Sequence, residues 1–145
     1  MRRSIIALLV VLMLGAALPA MASSRELYAP LAAASEVGGG DGDATGWAIV
    51  RLRPGTSQVC FRITTEGLTT DPFAAHIHSG VAGVNGPVVV DFDWAANGSG
   101  SGADGCVSAD LGLIKDIHRN PGNYYVNVHN PTVPSGAVRG QLVHG

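Results

Sequence analysis

The chain has 145 residues, among them nine lysines and arginines, eleven aspartates and glutamates, five histidines and two cysteines. Past residue 22, seven basic side chains stand against eleven acidic ones, a net charge of −4 with no basic cluster. That part is long enough for one domain with one core, and its charge argues against nucleic acid or an anionic membrane surface as a partner.

The chain starts with a short basic stretch, Met1-Arg2-Arg3, followed by an apolar run over residues 5–18 and the small-x-small pattern Ala20-Met21-Ala22. This predicts a signal peptide over residues 1–22, cleaved before Ser23, and a single domain over residues 23–145. The apolar run is too short for a membrane span, and no other stretch is long enough. No cysteine lies near the cleavage point to carry a lipid anchor. The expected destination is therefore secreted or periplasmic. In an exported chain the two cysteines, Cys60 and Cys106, predict a disulfide. Closing a loop of that length stabilises by about 4 kcal/mol in the chain-entropy picture.

Residues 28–37 are alanine-rich and mildly apolar, which suits an edge strand or an extended lead-in. The glycines and aspartates of residues 38–43 mark a loop. Residues 45–53 alternate, with Ala48, Val50 and Leu52 on one face. Pro54-Gly55 makes a turn, and residues 58–65 alternate again through Val59, Phe61 and Ile63, so the two runs read as a hairpin. Residues 73–79 form a strand that holds His76 and His78. A glycine-rich turn over 81–86 leads to a strand over 87–93, with Pro87 allowed at its first position. Residues 95–105 read as a loop, in which Asn97-Gly98-Ser99 fits the glycosylation acceptor pattern. Residues 110–119 form the one helix, with Leu111 and Ile114 at helical spacing together with Lys115 or His118. Ser108 or Asp110 would cap it, and Pro121-Gly122 would stop it. Residues 123–129 and 137–144 are the last two strands. Seven or eight short strands with one short helix give an all-β fold, either an antiparallel Greek-key-like β-sandwich or a partly closed barrel.

Strand alternation places His76 and His78 on one face with Ile77 on the other. On the strand over 123–129, His129 shares its face with Tyr125 and Asn127. If the two strands are neighbours, or face each other across the barrel, three imidazoles can converge. An H-x-H pair with a distant histidine is a ligand pattern for copper or zinc. The same residues also suit a hydrogen-bonded polar cluster on the wet face of a sheet. His118 would be a fourth ligand only if its helix reached the cluster, and His144, beside the chain end, reads as inert. Arg139, on the polar face of the last strand, would support the site, pair with Asp91 or Asp93, or be solvated. Asn127 is the other support residue. Catalytic patterns are thin. Ser79 lacks the nucleophile-elbow glycines, Asp91 and Asp93 read as solvated, and the glycines at 80, 83 and 86 are not a phosphate loop.

Two stretches resemble a known family. His76-Ile77-His78-Ser79-Gly80, then Gly83, then Asn85-Gly86-Pro87-Val88-Val89 is similar to the first signature of the CHRD (chordin) domain, which also occurs in secreted bacterial proteins. Tyr125-Val126-Asn127-Val128-His129 and Pro134-Ser135-Gly136-Ala137-Val138-Arg139-Gly140-Gln141-Leu142 are similar to the second. The likeness spans residues 27–143. One departure is Ala137, where the family often has an acid. The resemblance implies a sandwich-like, extracytoplasmic, non-catalytic module, and the expected role is binding of an unknown protein or envelope component. The alternative is a copper- or zinc-binding protein using His76, His78 and His129. A superoxide dismutase-like enzyme is a third reading. It rests on pattern alone, because that enzyme needs further histidines and an aspartate at spacings this chain does not have.

Overall fold

The computed structural model describes residues 26–145, so the expected signal peptide lies outside the described residues. Ten strands form one antiparallel sheet: β1 (Glu26–Ala32), β2 (Thr45–Arg53), β3 (Gln58–Glu66), β4 (Ala74–Ser79), β5 (Val88–Asp91), β6 (Gly98–Ser99), β7 (Gly102–Ser108), β8 (Tyr124–His129), β9 (Val138–Gln141) and β10 (Val143–His144). Two helices complete it, α1 (Trp94–Asn97) and α2 (Leu111–Arg119). The strand order is β5-β4-β8-β9-β1-β2-β3-β7-β6, with β10 paired to β1. The sheet curls into a half-barrel, which is the partly closed form of the two expected. Eight strands have four residues or more, and β6 and β10 have two each.

The expected hairpin forms β2 and β3, paired in continuous register from Thr45↔Glu66 to Arg53↔Gln58. Its inward positions are the expected ones, for Ala48, Val50, Leu52, Val59, Phe61 and Ile63 are all buried. Curling brings the two ends of the sheet together. Phe92, which follows edge strand β5, meets Phe61 of β3 with ring centroids 4.2 Å apart. Burying a side chain of that size in the shared core contributes about 1.5–3 kcal/mol. Trp94 of α1 and Ala103 of β7 join the same core.

Three expectations change. The lead-in over 28–37 holds an interior strand, because β1 pairs with β2 on one side and with β9 and β10 on the other. Its buried Leu27, Ala29 and Leu31 face the core. The stretch 95–105 is not a loop throughout. It holds most of α1, then β6 and the start of β7, a strand whose glycines and aspartate hide its pattern. β7 exists because β3 offers it a full ladder, from Gln58↔Ser108 to Thr64↔Gly102. The Cys60–Cys106 disulfide forms within that ladder, between directly opposed residues. The last strand breaks at the fully buried Leu142, whose N–H turns to the Tyr124 carbonyl at 2.9 Å.

Asp110 caps α2, its carboxylate accepting from the Leu113 N–H at 2.9 Å. The helix buries Ile114 and Ile117, while Leu111 is exposed. No helix among the described residues is long and apolar enough to cross a membrane.

Candidate metal centre

Strands β4 and β8 are adjacent, and their register fixes the site: Ala74↔His129, His76↔Asn127 and His78↔Tyr125. Ala75, Ile77, Val126 and Val128 point into the core and are fully buried. His76, His78, Tyr125, Asn127 and His129 therefore share the opposite face. Strand β9 extends that face, since Arg139 lies opposite Asn127. Three segments cover it. The Val84–Asn85–Gly86 turn arches over from β4, the Pro134–Gly136 turn from β8, and Glu36 reaches in from the segment after β1.

The three imidazoles converge. One ring nitrogen from each of His76, His78 and His129 lies within 4.8 Å of the others. Donors on one tetrahedral zinc sit about 3.3 Å apart, so the three rings would have to draw together to share one ion. His78 Nδ1 is 2.9 Å from the Gly86 carbonyl, and His129 Nδ1 is 3.0 Å from the Pro134 carbonyl. A carbonyl only accepts, so both Nδ1 atoms carry the proton and both Nε2 atoms present a lone pair. Nε2 of His78 is buried with no hydrogen-bond partner among the described residues. A buried imidazole nitrogen left bare is costly unless something binds it.

Burial holds all three rings neutral. It lowers the pKa of His129 to about 4, against the opposing hydrogen bond from Pro134. It lowers those of His76, where Asp91 opposes it, and of His78, where the Gly86 hydrogen bond opposes it. Neutral imidazole is the metal-binding form.

Around the cluster lies a stack that the sequence did not reveal. The Arg139 guanidinium sits over the Tyr125 ring, its carbon 3.5 Å from the centroid. The His78 ring is parallel to the same tyrosine within 9° at 4.9 Å. Arg139 is 1% exposed. It donates to Asn85 Oδ1 at 3.1 Å and to the Val84 carbonyl at 3.2 Å. Of the three alternatives for Arg139, the pairing with Asp91 or Asp93 and the solvated form do not occur, and the side chain lies beside the histidine face. Asp91 instead lies across from His76, its Oδ1 3.9 Å from Nε2.

Asn127 donates to the Glu36 carboxylate. Burial pushes the Glu36 carboxyl up to about 7, although Arg139 and Asn127 both pull it down. Two glycines allow this cover to close. A Cβ on Gly86 would lie 1.6 Å from the Ser79 carbonyl oxygen, and one on Gly136, at φ +148°, would lie 2.7 Å from both Glu36 and Asn127. The site residues that sequence reading missed are Glu36, Tyr125 as a stacking partner, and Asn85. Glu36 had one signal, being the only charged residue between Glu26 and Asp41. His118 stands apart from the cluster, packed edge-on against His144 at 5.4 Å.

The sequence of residues 27–142 matches the CHRD domain, from the second residue of β1 to the buried Leu142. The chain belongs to the CHRD domain family. The match takes in β1 through β9 and all three histidines. No curated protein and no solved structure matches the chain. In this CHRD domain the two signature stretches supply opposite halves of one face. The first brings His76, His78 and the Gly86 carbonyl. The second brings Tyr125, Asn127, His129 and Arg139.

Proposed function

We propose that this CHRD domain is an exported, non-catalytic binding module whose site takes one copper or zinc ion through His76, His78 and His129. The observation that carries the reading is the shared orientation of His78 and His129. Each is held by a backbone carbonyl at Nδ1, which leaves Nε2 as the nitrogen able to bind an ion. Such outer hydrogen bonds fix the tautomer and aim of metal-binding histidines. Imidazole suits both zinc and copper. Export is supported by the disulfide, the family and the signal-like start of the sequence.

The test is calorimetric titration of the oxidised protein with copper(II) and with zinc(II), beside the His76→Ala/His78→Ala double variant. We expect one ion per chain, with binding lost in the double variant. Absent binding, or binding that the substitutions leave unchanged, would reduce the cluster to hydrogen-bonded structure. The partner would then be sought among proteins and envelope components.

A further inference from the structure

The third histidine is held differently from the other two. His76 Nδ1 lies 3.0 Å from His129 Nε2. His129 already uses its only proton on the Pro134 carbonyl, so its Nε2 can only accept. In the neutral pair, His76 must donate through Nδ1. That leaves His76 Nε2 bare, and it faces the Asp91 carboxylate at 3.9 Å. A lone pair turned to an anion is the wrong tautomer for that neighbour. Across the ladder, Asp91 is the register partner of His76, so the backbone holds the two in place. The Asp91 carboxylate is fixed in turn by the Asp93 N–H, which donates to Oδ1 at 2.8 Å.

From this geometry we infer that metal binding moves the His76 proton from Nδ1 to Nε2, and that Asp91 is the residue that receives it by hydrogen bond. The inference rests on the metal reading above. His76 then ligates through Nδ1, while His78 and His129 ligate through Nε2. Each ring thereby has one nitrogen on the metal and the other on an oxygen: Asp91, Gly86 or Pro134. The proton balance closes within the ring, since one nitrogen loses the proton that the other gains. The His76–His129 hydrogen bond is given up to two metal bonds. Asp91 is a positioning residue, and it touches the metal only through His76.

The test is nitrogen-15 NMR of the histidine rings, recorded on oxidised protein alone and loaded with zinc(II), or with silver(I) as a diamagnetic stand-in for copper(I). We expect His76 to show a protonated Nδ1 without metal and a protonated Nε2 with it, while His78 and His129 keep protonated Nδ1 throughout. Asp91→Asn keeps an oxygen for the Asp93 N–H and removes the charge. Asp91→Ala removes both. Affinity should fall about 10–100-fold in Asp91→Ala and less in Asp91→Asn, as for other outer-sphere partners of metal-bound histidine. Stoichiometry should stay at one, and Asp91→Glu should recover part of the loss. Asp91 is largely exposed, its side chain 70% accessible, so these variants retain the fold. Metal bound through His76 Nε2, or affinity indifferent to all three substitutions, would overturn the Asp91 role and leave the metal centre standing. Failure of copper(II), zinc(II) and silver(I) alike to bind the unaltered protein would overturn both.

Discussion

Arg139 is a full positive charge with almost no exposed surface, held by three different kinds of contact. The Tyr125 ring faces it, Asn85 and Val84 accept its hydrogen bonds, and the Glu36 carboxylate supplies long-range attraction. An isolated buried cation would be far too costly, so these contacts must act together. The planar guanidinium suits them, because it stacks and forks at once. We expect Arg139→Met to leave the Asn85 and Val84 oxygens unpaired and to lower stability by about 2–4 kcal/mol. Arg139→Lys should not restore it, since a lysine ammonium neither stacks flat nor reaches both oxygens. Urea unfolding of the two variants checks this. A lysine variant as stable as the unaltered protein would show that charge alone suffices.

The elements that the sequence exposed are those that carry a period. Strands β2, β3 and β8 alternate cleanly, and the histidine strand β4 was legible from Ile77 between two polar neighbours. The H-x-H pair and the remote His129 could be placed on one face because strand alternation is rigid and β4 and β8 proved adjacent. What stayed hidden depends on pairing, which no local pattern encodes. Strand β7 reads as loop because Gly102, Asp104 and Gly105 favour turns, and only the ladder to β3 makes it a strand. Glu36 lies 91 residues from its partner Asn127, so nothing local announces their contact. Helix α2 was legible from its ends. Its cap is Asp110, and the boundary lies one residue inside the expected range. We expect Asp110→Ala to cost about 1 kcal/mol by freeing the Leu113 N–H, and Asp110→Asn to cost little. Chemical denaturation distinguishes the two. Equal losses would mean that the carboxylate acts through its charge at the helix start, and not as a hydrogen-bond acceptor.

Across the whole molecule, titratable groups with shifted pKa values set the pH at which the fold is most stable, and they do not all act in one direction. The three histidines have folded pKa values below the ordinary 6.5, that of His129 near 4. Their contribution is complete above 6.5 and is lost as pH falls through the folded values. Glu36 acts in the reverse sense. Its folded value, raised to about 7 from 4.5, gives stability that is complete below 4.5 and lost as pH rises towards 7. Hydrogen bonds hold Asp41 and Asp116 below the ordinary 3.8, the first chiefly from the Thr69 N–H and the second from the Tyr124 hydroxyl. Their contribution is present above 3.8 and fades as pH falls further. Between pH 6.5 and 4.5 one carboxyl therefore opposes three imidazoles. We expect the imidazoles to prevail, so Tm should be highest near neutrality, fall gradually towards pH 4.5, and fall steeply below 3.8. In Glu36→Gln the opposing group is gone, and the decline between pH 7 and 4.5 should steepen. Saturating zinc should raise Tm at pH 7, and that gain should shrink below pH 6.5, because protons compete with the ion for the same nitrogens. Thermal unfolding followed by circular dichroism from pH 3 to pH 8 measures all three curves. A Tm that climbs steadily from pH 7 to pH 4.5 in the metal-free protein would show that Glu36 outweighs the histidine cluster.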